Sequence, residues 1–325
     1  MESGGTQPKI IVITGATATG KTVLAAALCV LIGGEVVSSD SMQIYRRMNI
    51  GTAKPTAEQT RGIAHHCIDI AEPEDDYSVA EYVKDGRAAV LDILARGKIP
   101  VVCGGTGLYT DSLVRGGADF AARNDALRRG LELEYERVGG EAMLERLAAI
   151  DPASAEKLSP NDRKRVLRAL EIHALTGKTK SELDALTKTR PPEFSAKYFV
   201  LHYADRQELY GRINARVDAM LAEGLIAEVE ELLASGVPRG ATSMQAIGYK
   251  EIADELARGR DFSTAGELIK QRSRNYAKRQ ETWFRRYEAA ERIVWPSAPN
   301  EADIEAAAQN AAKQVSDFLH TGTLL

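Results

Sequence analysis

This 325-residue sequence is short of cysteine, of long apolar runs and of any strong excess of one charge. Its 42 basic and 46 acidic side chains give a net charge of −4, which argues against a uniformly basic surface for nucleic acid but is compatible with a local basic channel. Cys29, Cys67 and Cys103 lie far apart in apolar stretches, which favours buried reduced thiols over a disulfide or a metal site. No apolar run approaches about 18 residues, and residues 1–9 lack the apolar core of a signal peptide, so we expect a cytoplasmic protein without a membrane segment.

Phosphate binding is the first function that the sequence indicates. Residues 10–14 are apolar and β-branched and predict a buried strand, residues 23–31 predict a helix, and the pattern G-x-x-x-x-G-K-[ST] lies between them. In such a unit backbone N–H groups and the positive end of the helix converge on one point, which binds phosphate. The alternative is a glycine turn that only joins strand to helix, and the pattern does not say whether a nucleotide or another diphosphate is bound. Its residues are Gly15, Ala16, Thr17, Ala18, Thr19, Gly20, Lys21 and Thr22.

Two further segments are expected at the same edge of a parallel sheet. Residues 35–40 predict a second strand, and a strand–helix–strand unit of this length implies parallel pairing with a right-handed crossover. Asp40 then lies at the carboxyl end of that strand, where doubly wound sheets bind ligands. Residues 99–103 predict another buried strand, and the glycine-rich turn at residues 104–107 brings Thr106 to the same edge. A tight turn that needs positive φ is the alternative explanation of those glycines.

The composition changes near residue 117, which predicts two domains. Residues 1–117 and 198–325 are expected to form an α/β core that ends in a helical, RNA-binding part, and residues 118–197 a helical insertion. His65 and His66 are neighbours on a predicted strand, so they point to opposite faces and cannot share a metal. That strand candidate spans residues 65–70, the strand that resumes the core spans residues 198–203, and the predicted helices include residues 77–95, 125–138, 141–149 and 161–175.

Basic side chains concentrate in the last third of the chain. A long helix that begins after Asp205 carries Arg212 and Arg216 side by side. Residues 270–286 contain seven basic side chains and one acidic one, with aromatic residues between them, a pattern that suits single-stranded RNA or phosphate. A solvated helix face is the alternative for both features.

An ordered set of short segments links these features. The most specific are D-S-x-Q-x-Y at residues 40–45 and G-T-A-K-P at residues 51–55. With this set the chain resembles the bacterial tRNA dimethylallyltransferases, also called tRNA isopentenyltransferases, along almost its whole length. The family's first loop usually contains Gly-Pro-Thr-Ala-Ser-Gly-Lys-Thr, and here Ala16 replaces the proline and Thr19 the serine, changes that keep the backbone cradle. The other matching segments are residues 15–22, 65–66, 77–79, 104–109, 161–171, 245–249 and 277–280 with Trp283.

The resemblance implies a P-loop NTPase-like parallel sheet flanked by helices, with a helical insertion. No feature of the sequence calls for more than a monomer. It implies transfer of a dimethylallyl group from dimethylallyl diphosphate to N6 of A37, the adenosine just 3′ of the anticodon of tRNA. Asp40 matches the family's general base, and Thr106 a residue that contacts the bridging oxygen and the target nucleotide. The diphosphate would lie in residues 15–22 with Mg²⁺ at Thr22 and with Arg216 opposite, Arg212 being the second candidate. The residues implied to contact the anticodon stem-loop are Asp40, Ser41, Met42, Gln43, Thr106, Arg128, Lys164, Arg165, Val166, Leu167, Arg168, Gln245, Ala246, Ile247, Gly248, Tyr249, Lys250, Lys278 and Arg279.

Three rival functions stay open on the sequence alone. A P-loop small-molecule kinase or NTPase would use Asp40 to accept a proton from a hydroxyl, but the strand at residues 99–103 ends in glycine where many such enzymes have an aspartate. The long basic C-terminal half is also surplus for such an enzyme. An adenylate isopentenyltransferase, which prenylates free adenine nucleotides, would not need the anticodon-binding segments. A non-catalytic RNA-binding module would leave residues 15–22 and Asp40 unused.

Overall fold

Six strands form the frame of the larger of two compact units. The computed structural model describes residues 7–116, 124–259, 262 and 264–321. Met1–Val114 and Glu193–Leu325 belong to the larger unit, called the core unit below, and Arg115–Pro192 form the helical unit. The predicted boundary between residues 117 and 118 lies outside the described residues.

The sheet of the core unit is entirely parallel. Its strands are β1 (Lys9–Gly15), β2 (Gly34–Ser38), β3 (His65–His66), β4 (Ile99–Gly104), β5 (Ser195–Tyr203) and β6 (Glu291–Trp295). Their order is β3-β2-β4-β1-β5-β6, and each adjacent pair runs parallel. β1 is central, with Ile11 opposite Val101 of β4 and Ile13 opposite Phe199 of β5. The predicted fold class, a parallel sheet flanked by helices, is confirmed.

The structure contains the helices of the core unit, which cover both faces of this sheet, and the helices of the helical unit. They are α1 (Lys21–Ile32), α2 (Ala57–Thr60), α3 (Val79–Ala95), α4 (Gly107–Arg115), α5 (Asp125–Ile150), α6 (Pro152–Ala155), α7 (Arg163–Thr176), α8 (Lys180–Thr189), α9 (Arg206–Glu223), α10 (Leu225–Ala234), α11 (Tyr249–Arg258), α12 (Ala265–Phe284) and α13 (Glu301–His320), with a 3₁₀ turn at Ser243–Gln245. Ile11 and Ile13 of β1 pack against α1 and α13, whereas Ile10 and Val12 pack against α3 and α4. This double burial explains why the strands are apolar without alternation. Within the part of the chain that the structure describes, no helix is long and apolar enough to cross a lipid bilayer.

Two strands differ from the prediction by three residues or more at one end. The strand candidate at residues 65–70 contributes only His65 and His66, because Cys67 and Asp69 adopt positive φ angles of 61° and 55° that turn the chain out of the sheet. β5 begins at Ser195, where it pairs with Lys9, and not at residue 198. The chain therefore returns to the core unit before the predicted end of the insertion.

The helical unit consists of α5 to α8. Gly139, with φ 85° and ψ 168°, interrupts α5, so that the segment forms two helices where residues 125–138 and 141–149 predicted them. The predicted helix at residues 161–175 is α7. Leu131 and Leu147 of α5 pack with Leu167 of α7 in a separate hydrophobic core.

Candidate active site

The loop at residues 15–22, called the phosphate loop below, joins β1 to α1 in the conformation that its sequence predicts. Gly20 caps the helix with φ 81°, and Ala18 also adopts a left-handed φ of 64°. A Cβ atom on Gly15 would lie closer than 3.0 Å to the carbonyl oxygen of Leu201, so only glycine fits where β1 passes β5. This strand, loop and helix give the arrangement that proteins use to surround phosphate with backbone N–H groups.

Side chains fasten the phosphate loop from two sides. Lys21 Nζ and Thr19 Oγ1 both donate to the carbonyl oxygen of Ala16, at 2.6 and 2.8 Å. Trp295, at the end of β6, donates from Nε1 to the carbonyl oxygen of Thr19 at 3.0 Å. Burial lowers the pKa of the Lys21 ammonium to about 8, with Arg216 adding to the effect and other neighbours opposing it.

Helix α9 brings both predicted arginines to the loop. Arg216 Nη1 donates to Thr17 Oγ1 and Arg212 Nε donates to the carbonyl oxygen of Ala18, each at 3.4 Å. The two arginines are four residues apart, so they lie on one face of the helix. Within the described residues neither arginine forms an ion pair with a carboxylate, which leaves their charge to a ligand.

Asp40 and Thr106 lie next to each other beyond the ends of β2 and β4. Asp40 Oδ1 accepts the backbone N–H groups of Met42 and Gln43, at 2.9 and 3.4 Å. Neither bond uses Oδ2, so that oxygen is left for a ligand. Thr106 Oγ1 accepts the backbone N–H of Ser41 at 3.1 Å, which joins the two segments directly.

The glycines around Thr106 are required by close packing. None of Gly104, Gly105 or Gly107 has a positive φ angle, so the alternative explanation of this turn is wrong. A Cβ atom on Gly105 would lie closer than 3.0 Å to Gln280 Nε2, and one on Gly107 closer than 3.0 Å to Trp283 Nε1. The glycines therefore make room for two side chains of α12.

Gln280 is a residue of this site to which the sequence analysis gave no role. Its side chain is 5% exposed, with Oε1 accepting the backbone N–H of Thr17 at 2.8 Å and Nε2 donating to the carbonyl oxygen of Gly105 at 2.9 Å. Tyr276, one turn earlier in α12, lines the same space. Burial and the Asp40 charge raise the pKa of the Tyr276 phenol to about 12, so it stays protonated at neutral pH. Only its place in a matching segment pointed to Gln280.

These loops and helices enclose a cleft of about 350 Å³. Lys21, Asp40, Arg216 and Arg279 contribute its charged lining. Its apolar wall comes from α9, α10 and α12 through Ile213, Val217, Met220, Leu225 and Ile269. A second cleft, of about 380 Å³, also has Lys21 and Arg216 in its lining and adds Thr22 and Arg212. Of the predicted residues, Thr17, Lys21, Asp40 and Arg216 thus line the first cleft, and Ala18, Gly20 and Thr22 line the second. Thr106 lines neither cleft but bonds to Ser41, which lines the first.

The phosphate loop offers one hydroxyl oxygen that could contribute to a site for a divalent cation. Among the described residues there is no group of three or more His, Cys, Asp or Glu side chains that could hold a metal. Thr22 offers a hydroxyl oxygen on the second cleft, beside Lys21. Oxygen donors of this kind suit Mg²⁺, which commonly takes one or two protein ligands and completes its shell with substrate phosphate and water.

The loop at residues 49–55, called the GTAKP loop below, is held by one carboxylate. Glu228 of α10 accepts the backbone N–H groups of Asn49, Ile50 and Gly51 at distances of 2.8 to 3.2 Å. The buried Tyr249 hydroxyl donates to the same carboxylate. The next residues of the loop line the cleft, so Glu228 fixes one of its walls.

The segment at residues 245–250 contributes more packing than exposed surface. Tyr249 is fully buried with its hydroxyl bonded to Glu228, and Ala246 is buried as well. Gly248 turns the chain with φ 100°. Gln245 is exposed, whereas Lys250 is paired with Asp254 at 3.4 Å. Gln245, Ala246, Ile247 and Gly248 line the cleft, and Tyr249 supports it from behind.

The basic run at residues 270–286 is partly neutralised. Three of its seven basic side chains form ion pairs with acids from other elements, namely Lys270 with Asp218, Arg272 with Glu251 and Arg286 with Asp111. Lys278 and Arg279 are exposed and lie over the rings of Tyr210 and Tyr276, respectively. The exposed positive charge is therefore smaller than the sequence count suggested.

The residues of the helical unit that were predicted to contact RNA are likewise only partly exposed and unpaired. Val166 and Leu167 are buried in its hydrophobic core, so their side chains are not available to a ligand. Arg128 pairs with Glu132 at 3.3 Å and Arg168 with the buried Glu171 at 2.8 Å. Lys164 and Arg165 are exposed at the start of α7.

Comparison with known families gives matches over most of the chain. The model of the IPP transferase family matches residues 43–287, and that of the isopentenyl transferase family matches residues 8–72. A tRNA dimethylallyltransferase of Pelotomaculum thermopropionicum is 45% identical over 314 residues, which cover 96% of this chain and 98% of the relative. The tRNA dimethylallyltransferase 1 of Trichlorobacter lovleyi is 43% identical over 302 residues, or 93% and 98% of the two chains.

Solved structures of similar proteins share this architecture. The crystal structure of a full-length tRNA isopentenylpyrophosphate transferase from Bacillus halodurans has a TM-score of 0.69 and 37% identity, with 97% of this chain and 100% of that chain covered. A eukaryotic dimethylallyltransferase acting on tRNA has a TM-score of 0.82 and 30% identity, with 97% and 80% covered. Similarity thus extends over nearly the whole length of this chain.

Proposed function

This chain belongs to the IPP transferase family, and from that premise we propose that it transfers a dimethylallyl group from dimethylallyl diphosphate to N6 of A37 in tRNA, forming N6-(dimethylallyl)adenosine. The observation that carries the proposal is the cleft in which Lys21 and Arg216, the Asp40 carboxylate and an apolar wall share one enclosed space. The reaction brings together a diphosphate, an amine that must lose a proton and a branched hydrocarbon. Each of these groups has a matching part of the lining.

The leaving diphosphate is assigned to the phosphate loop. The C1–O bond of the allylic donor breaks with carbocation-like character, and the electron pair stays on the diphosphate oxygen. Lys21, Arg216 and the N–H groups of the loop stabilise the negative charge that grows there. Arg212 reaches the same loop and serves the outer face of the diphosphate.

Asp40 is assigned as the general base. As N6 of the adenine bonds to C1, the amine must give up a proton, and Oδ2 of Asp40 is free to take it. Thr106 is placed beside Asp40 through Ser41, and we assign its hydroxyl to the bridging oxygen of the donor. A positioned base contributes about 10²–10⁴-fold to the rate.

Mg²⁺ is the proposed metal, with Thr22 as its ligand from the protein. When bound, the ion neutralises part of the charge on the diphosphate. Thr22 lines the second cleft beside Lys21, and its hydroxyl oxygen is the type of ligand that Mg²⁺ prefers.

The tRNA is proposed to bind through its anticodon stem-loop to a monomer in the cytoplasm. A37 has to leave its stack, at a cost of a few kcal/mol, which contacts to the opened loop must offset. In the core unit these are assigned to the segment 40–43, the segment 245–250 and the exposed Lys278 and Arg279. In the helical unit they are assigned to Arg128, Lys164, Arg165 and Arg168. The buried Val166 and Leu167 would support helix α7 from the hydrophobic core.

One assay tests the function against its rivals. The protein is incubated with labelled dimethylallyl diphosphate and unmodified tRNA, AMP or ATP in parallel, with Mg²⁺ and with EDTA. Label in tRNA alone, and only with Mg²⁺, is expected. Label in AMP would indicate an adenylate isopentenyltransferase, ATP consumed without prenyl transfer a kinase, and tRNA binding without label a non-catalytic module.

The base is tested with Asp40→Asn. This variant should bind tRNA like the parent but lose at least about 10²-fold in turnover. Asp317→Asn, an exposed change on α13, is the control and should behave as the parent. Near-normal turnover of Asp40→Asn would remove the base assignment while leaving the reaction itself in place.

A further inference from the structure

The hydrogen-bonded ladder between β1 and β4 ends just before the two loops that carry the proposed chemistry. Its last pair is Thr14 and Gly104, reinforced by Thr14 Oγ1 donating to the carbonyl oxygen of Gly104 at 2.8 Å. Beyond this point the phosphate loop and the turn around Thr106 are no longer bonded backbone to backbone. The next link between them is the side chain of Gln280.

Gln280 joins two particular peptide planes. The N–H that it accepts belongs to the peptide of Ala16 and Thr17, and the carbonyl of that peptide accepts Lys21 Nζ. The carbonyl to which it donates belongs to the peptide of Gly105 and Thr106. One side-chain amide therefore orients both the peptide whose carbonyl oxygen accepts Lys21 and the peptide whose N–H belongs to Thr106.

The second peptide is held from its other side as well. The N–H of Thr106 donates to the carbonyl oxygen of Ser39 at 3.2 Å, so both polar groups of this peptide are bonded. Gly105 can carry no Cβ because Gln280 Nε2 occupies that position. The turn is thus built around the amide, with little freedom to reorient while Gln280 is present.

Only a planar amide of this length meets both demands. The acceptor must face the N–H of Thr17 and the donor must face the carbonyl of Gly105, on one rigid group. Glutamate keeps the shape but has no proton for Gly105 unless its carboxyl group is protonated. Alanine keeps neither bond.

We propose that Gln280 is a positioning residue of the prenyl transfer, which holds Thr106 at a fixed distance from the diphosphate cradle. The inference rests on the proposed function, since it assigns Gln280 a part in that reaction. Gln280 acts on the rate through the two loops, without bonding to either substrate. Because a misplacement of about 1 Å can cost 10²-fold in rate, loss of the bridge should lower turnover more than affinity.

The test compares Gln280→Ala and Gln280→Glu with the parent and with Gln309→Ala, an exposed glutamine change on α13. Single-turnover rates of tRNA prenylation are measured at saturating dimethylallyl diphosphate with enzyme in excess, and KM is measured for both substrates. We expect Gln280→Ala to lose about 10- to 10²-fold in single-turnover rate, with KM values within about threefold of the parent. Gln309→Ala should match the parent in each measurement.

The pH profile separates positioning from a general loss of structure. In Gln280→Glu the rate, relative to the parent at the same pH, should rise as the pH is lowered from about 8 to about 5.5, because burial raises the carboxyl pKa and its protonated form can donate to Gly105. Gln280→Ala should show no such recovery. If Gln280→Ala does not fold, Gly105→Ala is the second test of the bridge. Its Cβ would press on Nε2 and disturb the same bridge from its other end, so this variant should also lower the rate.

The outcomes distinguish this inference from the proposed function. A parent that does not prenylate tRNA refutes the function. A parent that prenylates tRNA, with Gln280→Ala equal to it in single-turnover rate or changed only in KM, refutes the positioning role alone. A Gln280→Glu profile parallel to that of the parent at all pH values also refutes it.

Discussion

Replacing Glu228 with alanine tests how far one carboxylate holds the wall of the cleft. The change removes the acceptor of three backbone N–H groups in the GTAKP loop and of the Tyr249 hydroxyl. Asn49 is exposed, so water can replace its bond. The N–H groups of Ile50 and Gly51 are half-buried and the Tyr249 side chain is fully buried, so these three donors lose a partner with limited access to water.

The expected cost follows from those three donors. An unsatisfied buried donor costs about 1–3 kcal/mol, and the low end applies because two of the three are only half-buried. The variant should therefore be less stable by about 3 kcal/mol. Glu228→Gln keeps one accepting oxygen but turns an NH₂ group towards the remaining donors, so it should fall between the parent and the alanine variant.

The assay is urea unfolding of both variants and of Glu231→Ala, an exposed change on the same helix. The control should stay within about 0.5 kcal/mol of the parent. The stability difference is taken from the shift in midpoint at unchanged m-value. If Glu228→Ala unfolds within the error of Glu231→Ala, the carboxylate does not hold the loop, and the reasoning from its hydrogen bonds is refuted.

Two titratable groups give predictions in pH. Hydrogen bonds from Arg96 above all, and from Lys98 and His66, hold the pKa of the buried Glu35 far below its ordinary value of about 4.3. The contribution of the Glu35 carboxylate to stability is therefore present above about pH 4.3 and is lost as the pH falls below it. Glu35→Gln should cost about 3 kcal/mol at pH 7 in urea unfolding, with the gap to the parent closing below about pH 4, and a gap independent of pH would contradict this. Lys21 loses its charge as the pH rises through about 8, so the KM for dimethylallyl diphosphate should rise above that pH in the parent and stay flat in Lys21→Arg, which a steady-state pH series checks.

The sequence was sufficient to predict the parallel sheet and the edge of that sheet at which the candidate site lies. Apolar strands separated by helices allow few arrangements, because crossovers are right-handed and parallel strands end at one edge. Asp40 and Thr106 are far apart in the chain, yet each follows such a strand, and they meet through Ser41. A prediction of this kind needs only the position of a residue relative to the end of its strand.

The supporting contacts could not be predicted in that way. Gln280 and Glu228 bond backbone groups of loops more than 170 residues away in the chain, and helical spacing does not specify which loop a side chain meets. For a related reason, the count of basic residues over 270–286 overestimated the exposed positive charge. Asp218, Glu251 and Asp111 neutralise part of the basic run from three other elements, and a local count includes none of them.

Three side chains from distant elements support the cleft by bonding to the backbone of its loops. The groups that bind diphosphate in such a loop are backbone N–H groups, and they can be oriented only by fixing peptide planes. Gln280, Trp295 and Glu228 each do this from a distant element by bonding to a backbone N–H or carbonyl. Donors that are held in place before the ligand arrives need no reorganisation as charge develops, which is the condition under which they stabilise a transition state most. Substitution of these supporting residues should therefore reduce the rate of transfer more than the affinity for either substrate.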